Sequence, residues 1–281
     1  MPLPKWLKTT SPQGMHNVKK LLRTHGLSTV CEEARCPNQG RCFAKSTAAF
    51  MILGDICTRN CGFCAVESGV PHFVDSDEPL RVAQAAKALG LTYVVVTSVT
   101  RDDLADGGAA HFASTIKAIR DAIDNVRVEV LVPDFQSSAE AVKMVVEAGP
   151  DVFNHNVETV PGLYSAVRPQ ARYRQSLDVL KKAKEINKSQ VTKSGMMVGL
   201  GERFDEVLNV MRDLRNFDCD IITIGQYLRP RKDNLEVVEY IEPEIFEKYK
   251  AHAFKMGFKS VASSPLVRSS MDAEEVSHVR I

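Results

Sequence analysis

Six of the seven cysteines in this 281-residue chain, Cys31, Cys36, Cys42, Cys57, Cys61 and Cys64, crowd between positions 31 and 64, and Cys219 stands alone. The odd count argues against a disulfide framework, and so does the lack of an apolar export segment between Met1 and Leu22, since cytosolic thiols are kept reduced. A cluster of six then points to metal. Cys57-Thr-Arg-Asn-Cys61-Gly-Phe-Cys64 has the spacing C-x3-C-x2-C and follows the apolar run Phe50–Leu53, with Gly54 to break the strand. The three thiols are thereby placed on a loop at a strand's C-terminal end, where barrels and open sheets keep their chemistry. Three thiolates suit a [4Fe–4S] cluster, because they hold three irons and leave the fourth open to a small ligand. A structural zinc site wants four protein ligands, typically from paired C-x2-C elements, and no such pair is present. The second triplet, Cys31, Cys36 and Cys42, is spaced C-x4-C-x5-C, which is unusual for zinc. Two triads this close suggest two clusters.

The elements that must position these loops follow an alternating pattern. Strands are predicted at Ala48–Leu53, Tyr93–Ser98, Val126–Val132, Asp151–Asn154, Val191–Val198, Asp220–Ile224 and Lys259–Ala262. Several are continuously apolar or β-branched, as strands covered on both faces are. Helical spacing lies between them at Val82/Ala86/Leu89, Val142/Val145, Leu177/Leu180/Ala183, Val207/Val210/Met211/Leu214 and Phe246/Tyr249/Ala253/Met256, and Pro79 and Pro243 mark first helical turns. Strand and helix in alternation predict an α/β protein with a parallel sheet. Six or so βα units are too few for a closed eight-fold barrel, so the expected fold is a partial (β/α)6 TIM-like barrel with N-terminal and C-terminal extensions, with a doubly wound open sheet as the alternative. The expected division is an extension over 1–46 carrying Cys31, Cys36 and Cys42, a barrel over 47–262 and a tail over 263–281. With 44% hydrophobic and 25% charged residues and a net charge of +1, duplex nucleic acid is not an expected partner. No run is long enough to span a membrane. The expected location is the cytoplasm.

C-x3-C-x2-C with an aromatic residue, Phe63, before the last cysteine resembles the signature of radical S-adenosylmethionine (SAM) enzymes. In that superfamily the open iron chelates the amino and carboxylate groups of SAM, and one electron from the reduced cluster releases a 5′-deoxyadenosyl radical that takes hydrogen from an unactivated C–H bond. The run Val30-Cys31-Glu32-Glu33-Ala34-Arg35-Cys36-Pro37-Asn38 is narrower. Together with Thr97–Leu104, Phe153–Thr159, Gly199–Glu202 and Pro265–Ser270 it resembles the lipoyl synthase family, and the likeness runs from about residue 27 to 275. The resemblance implies insertion of two sulfur atoms, at C6 and C8 of an octanoyl group held on a lysine of a carrier protein. It implies two [4Fe–4S] clusters, one on Cys57, Cys61 and Cys64 that makes the radical, and one on Cys31, Cys36, Cys42 and a serine of an Arg-Ser-Ser-Tyr motif that is consumed as the sulfur source. That serine falls at Ser270, with Ser269 the lesser choice. The chain departs from the motif at Met271, where the family has Tyr.

The same resemblance assigns Asn154, Asn156 and Glu158 to contacts with the ribose or amino-acid moiety of SAM, beside a plain turn-capping reading. Arg168 is a candidate clamp for the methionine carboxylate, a surface role being its alternative. Ser98 and Thr100 are candidates for the ammonium group. Gly199 and Gly201 permit close approach to the adenine, although glycine pairs are common in turns. Phe63 packs against the adenine or belongs to the core. The implied partners are an octanoylated lipoyl domain of a 2-oxoacid dehydrogenase or glycine cleavage H protein, a reduced ferredoxin- or flavodoxin-type electron donor, and an iron–sulfur carrier that rebuilds the cluster. Lys5, Lys8, Lys19, Lys20, Arg23, Arg229, Arg231 and Lys232 could dock an acidic carrier or form a solvated face. The seven histidines show no metal spacing, and Cys219 reads as a buried small hydrophobe. Rival readings are a radical enzyme whose second cluster is not consumed, and a non-catalytic module stapled by metal.

Overall fold

The computed structural model of the protein describes residues 2–9, 15–44 and 48–277; the rest of the expected extension and tail, His278 included, lies outside the described residues. The chain forms two compact units. One comprises Thr10–Asn60 with Ala65–Phe153, the other Met1–Thr9 and Cys61–Cys64 with Asn154–Ile281.

The first unit opens with α1 (Met15–Thr24), which buries Val18 and Leu22, and continues through β1 (Ser28–Thr29), α2 (Val30–Glu33) and α3 (Gln39–Ala44). The Thr29 hydroxyl caps α2 by accepting from the Glu32 N–H at 3.3 Å. At its other end Arg35 takes a left-handed φ of 51°, and the Cys36 N–H donates to the Cys31 carbonyl at 3.0 Å. This left-handed helix ending folds Cys36 back over Cys31. Next come β2 (Ala49–Ile52), β3 (Ile56–Cys57), β4 (Glu67–Ser68), α4 (Glu78–Ala88), β5 (Tyr93–Ser98), α5 (Ala109–Ala122), β6 (Arg127–Leu131), α6 (Ala139–Glu147) and β7 (Val152–Asn154). β2 runs parallel to β5 and β5 to β6, while β1 adds antiparallel to β2. β2 is buried at every position and β5 at all but its last, Ser98, as expected of strands covered on both faces.

The second unit contains α7 (Tyr164–Val167), α8 (Tyr173–Ile186), β8 (Val191–Val198), α9 (Phe204–Asn216), β9 (Ile221–Gln226), α10 (Pro243–Lys255), β10 (Ser260–Ser263) and α11 (Ala273–Val276). β8, β9 and β10 are parallel neighbours in that order. α9 buries Val207, Val210, Met211 and Leu214, and α10 buries Phe246, Tyr249 and Ala253. All seven expected strands form, Tyr93–Ser98 and Val191–Val198 with the expected bounds and the others with ends shifted by at most two residues. Pro79 and Pro243 sit in the first turns of α4 and α10. The helices α1, α2, α3, α5, α7 and α11 are additions to the sequence reading.

Candidate metal centre and cofactor site

All seven cysteines are free thiols. Cys57 ends β3, whose partner β4 sets Cys57 opposite Ser68. Its Sγ accepts two backbone N–H groups, from Thr100 at 3.3 Å and Arg59 at 3.4 Å. Donors aimed at a sulfur suit a thiolate bound to iron, since hydrogen bonds to the sulfurs tune such clusters. The loop is clamped by Arg59, a residue the sequence reading passes over. Its guanidinium grips Asp102 through Nε (2.6 Å) and Nη2 (2.8 Å), and Asp134 through Nη1 and Nη2 (both 2.7 Å). Burial works against the charge on Arg59, but the two carboxylates outweigh it and raise its pKa. The Thr58 N–H and hydroxyl both donate to the Thr100 carbonyl, at 3.0 Å each, so the loop after β5 is stitched to the cysteine loop.

Cys61 to Cys64 close a turn, with the Cys64 N–H donating to the Cys61 carbonyl at 3.1 Å. Gly62 donates to the Val167 carbonyl and accepts from the Leu235 N–H, both at 2.9 Å. A Cβ on Gly62 would meet the Leu235 side chain at 2.9 Å, which explains glycine here. Asn234 Nδ2 donates to the Cys64 carbonyl at 2.8 Å, and Phe63 packs beside Val167, Leu200 and Tyr227.

Cys31 is buried in α2, with Cys36 and Cys42 half-buried beyond it. Burial pushes the Cys31 thiol up to about 12; an N–H from Ala49 opposes this, and Cys36 and Cys42 add like-charge repulsion. Three thiolates would repel one another in such a place, and a cationic cluster reverses that logic by holding its ligands deprotonated. The donor set therefore fits a cluster. Among the described residues no three Cys, His, Asp or Glu side chains converge on a single metal ion. Sulfurs on one tetrahedral zinc stand about 3.8 Å apart, and a four-iron cube asks for a wider triangle.

The tail is fixed within the second unit. Lys193, fully buried on β8, donates from Nζ to the Ser269 carbonyl at 2.7 Å. Ser269 Oγ donates to Asn156 Oδ1 at 3.0 Å and lies 3.4 Å from Thr223 Oγ1. Gly195 makes room for this packing, because a Cβ there would meet Ser269 Oγ at 2.5 Å and Thr223 Oγ1 at 2.6 Å. A Cβ on Gly225 would strike the Val267 carbonyl. Ser270, by contrast, is half-exposed and spends its hydroxyl on no hydrogen bond among the described residues.

Of the expected SAM contacts, Asn156, Glu158 and Arg168 come together. Asn156 Nδ2 donates to Glu158 Oε1 at 3.0 Å, and Arg168 Nη1 donates to the Asn156 carbonyl at 3.0 Å. Burial pushes the Glu158 carboxyl up, with Arg168 and Asn156 opposing. Arg168 is buried, which removes its surface alternative. Asn154 is fully buried at the end of β7. In the first unit Ser98 Oγ is buried with no hydrogen-bond partner among the described residues, and the Thr100 carbonyl is taken by Thr58. An orphaned hydroxyl at a strand's C-terminal end fits a polar ligand group. Gly199, at φ 99°, is covered by the Gln226 side chain and the Glu239 carbonyl, and a Cβ on Gly201 would meet the Val238 side chain at 3.8 Å. Arg59, Asp102, Asp134, Lys193, Gly195, Thr223, Gly225 and Asn234 are given no role in the sequence reading. The place of Arg59 inside the cysteine motif and of Asp102 inside the run Thr97–Leu104 could have flagged those two.

The Radical SAM superfamily profile matches residues 51–214, and that of the N-terminal domain of lipoyl synthase of the Radical SAM family matches residues 1–36. The chain is 58% identical over 272 residues to lipoyl synthase of Caldanaerobacter subterraneus subsp. tengcongensis, covering 96% of this chain and 95% of that one. It is 55% identical over 278 residues to lipoyl synthase of Caldicellulosiruptor bescii, covering 98% and 96%. Among solved structures it is similar to HydG, a maturase of the [FeFe]-hydrogenase (TM-score 0.61, 17% identity, 97% of this chain and 61% of that one). It also resembles methylornithine synthase (TM-score 0.57, 13% identity, 90% and 76%). These likenesses establish the fold, the partial (β/α) barrel of the radical SAM enzymes. With near full-length identity above half, the chain belongs to the lipoyl synthase family of radical SAM enzymes.

Proposed function

We propose that the chain inserts two sulfur atoms, at C6 and C8 of an octanoyl group on a carrier-protein lysine, to give the lipoyl group. The observation that carries this reading is the identity to lipoyl synthases along almost the whole chain. When bound, a [4Fe–4S] cluster and SAM supply reductive C–S cleavage and so the hydrogen-abstracting power that no side chain has at neutral pH. Cys57, Cys61 and Cys64 hold that cluster, with Arg59 fixing the loop and the Thr100 N–H directed at Cys57. Ser98, Asn154, Asn156, Glu158 and Arg168 orient SAM, and Phe63, Gly199 and Gly201 stand nearest its adenine in this reading.

The second cluster is the finer part of the proposal. Cys31, Cys36, Cys42 and Ser270 hold it as the source of both sulfurs. The hydrogen-bonding of Ser269 and the uncommitted hydroxyl of Ser270 favour Ser270 as its fourth ligand. Alkoxide is a harder, poorer partner for such iron than thiolate, so Ser270 would hold its corner of the cluster less firmly than the three cysteines hold theirs. By role, residues 1–46 present the second cluster, 47–262 generate the radical and 263–281 supply the serine. The carrier is a 2-oxoacid dehydrogenase lipoyl domain or glycine cleavage H protein. A ferredoxin- or flavodoxin-type protein delivers electrons, an iron–sulfur carrier rebuilds the cluster, and the work is done in the cytoplasm. Among the described residues no helix is long and apolar enough to cross a membrane.

The test is anaerobic incubation of reconstituted protein, carrying isotopically labelled sulfide in its clusters, with SAM, a reductant and an octanoylated peptide. The expected product has gained two labelled sulfur atoms and lost two hydrogens. A product without label would leave the second cluster an electron relay or substrate anchor.

A further inference from the structure

Leu53, the residue after β2, is buried and takes a left-handed φ of 68°, and Gly54 follows it at φ 89°. This pair turns the chain off β2, and β3, which ends on Cys57, begins two residues after Gly54. Glycine adopts such a φ freely. A bulky side chain disfavours it by roughly tenfold and persists there only where its surroundings over-determine it. Here they do. The Leu53 N–H donates to Glu78 Oε2 at 2.7 Å, and His111 Nε2 lies 2.7 Å from the same oxygen. The Leu53 carbonyl accepts from Arg101 Nη1 at 3.2 Å, and Arg101 is itself forked onto Asp103 through Nε (2.9 Å) and Nη2 (2.8 Å). Gly108 leaves space for the Leu53 side chain, since a Cβ there would strike Leu53 Cδ1. Glu78 sits in the first turn of α4, where a carboxylate ordinarily serves the N–H groups of its own helix. This one is buried and holds the backbone of a segment 25 residues away.

We propose that Glu78, backed by His111, is a positioning residue for the radical-generating centre: it locks Leu53 in the left-handed conformation that leads the chain from β2 into the Cys57 loop. This role rests on the reading of Cys57, Cys61 and Cys64 as ligands of that centre and adds to it the residue that sets the loop's entry. The Arg59 and Thr100 N–H groups act at the Cys57 sulfur itself, whereas the Glu78 carboxylate acts through Leu53. Were Leu53 to relax to an ordinary negative φ, the chain beyond it would be redirected and Cys57 would leave those two donors. Packing alone would ask for an apolar residue of this size and not for this φ, so a change of conformational preference at constant volume separates the two roles.

The test compares reconstituted holoprotein with E78A, E78Q and L53I. E78A removes the acceptor, and E78Q keeps an oxygen for the Leu53 N–H. L53I keeps the buried volume but adds a β-branch, which the left-handed region tolerates least. Iron is counted, the reduced clusters are recorded by electron paramagnetic resonance with and without SAM, and circular dichroism checks folding. E78A and L53I are expected to fold while their iron falls from about eight toward about four per chain, the remaining signal being indifferent to SAM. E78Q should match the wild type in both respects. Full iron in E78A with a normal response to SAM overturns the proposal. So does an equal loss from both centres, which is general destabilisation, or an E78Q protein as impaired as E78A. An L53I protein that matches the wild type overturns it too, because Glu78 would then serve something other than this conformation. Should E78A fail to fold, L53I, with Glu78 still in place, carries the prediction unaided. A wild type whose signal ignores SAM sinks the functional reading, whereas one that responds while E78A and L53I match it sinks the role of Glu78 alone.

Discussion

Arg59 is where single atoms govern the centre. Four of its hydrogen bonds go to two carboxylates that arrive from the loops after β5 and β6, and Asp134 is fully buried. Removing the guanidinium takes the countercharge from Asp134 and leaves it buried with backbone donors such as the Gln136 N–H at 3.1 Å, a loss of up to about 3–5 kcal/mol. R59A is therefore expected to unfold at markedly lower urea as the metal-free protein and to bind iron poorly at the first centre. R59K should recover only part, because an ammonium cannot fork to two carboxylates. Denaturation midpoints and iron counts on the three proteins decide this. At the tail, S270A is expected to keep the SAM-cleaving centre and lose sulfur insertion. Normal insertion of two sulfurs by that variant would end its candidacy as a ligand. Met271 in place of the family's Tyr has no explanation in these contacts.

At the scale of elements, two glycines let the tail lie against the parallel strands β8 and β9. G225A brings a methyl group onto the Val267 carbonyl, a backbone atom that cannot swing aside. The expected outcome is a folded protein whose iron content falls from about eight toward about four per chain, read by colorimetric iron analysis and circular dichroism together. Asp220 ties the start of β9 to its surroundings. It pairs with Lys184 at 2.5 Å and Lys259 at 3.1 Å and accepts from the Thr192 N–H at 3.0 Å. Burial alone would raise its pKa, but the Lys184 and Thr192 hydrogen bonds overcome that and hold it below the usual carboxylate range. Depression of a folded-state pKa means that the stabilisation is present above the unfolded value, about 3.9, and is lost as pH falls through the folded one. The wild type should thus be more stable than D220N at neutral pH, and the gap should close in acid below about pH 4, measured by denaturant unfolding across pH.

Over the whole molecule, what the sequence discloses and what it conceals divide by range. The seven expected strands are legible because each is a short run such as Tyr93-Val-Val-Val or Ile221-Ile-Thr-Ile, bounded by turn residues, and burial on both faces leaves a continuous apolar trace. The cysteine loops are legible because their ligands are close in sequence. α5 is missed although Phe112, Ile116 and Ile119 are helically spaced, since Asp106-Gly107-Gly108 ahead of it reads as an open turn. The clamp of Arg59 and the anchor of Lys193 are hidden for another reason. Their partners lie 43, 75 and 76 residues away, and an isolated charge looks like solvated surface until the fold closes over it.

Cys219 has no exposed surface, and its thiol is pushed up to about 12, by burial first and the neighbouring Asp220 next. A thiolate is the species that alkylating reagents attack, so in metal-stripped protein the half-buried cysteines 36, 42, 57, 61 and 64 should label promptly. Position 219 should wait until the start of β9 swings open. The lag between the two phases is an internal clock: timed by mass spectrometry in native buffer, it reads how often this strand breathes without any probe being added to the chain.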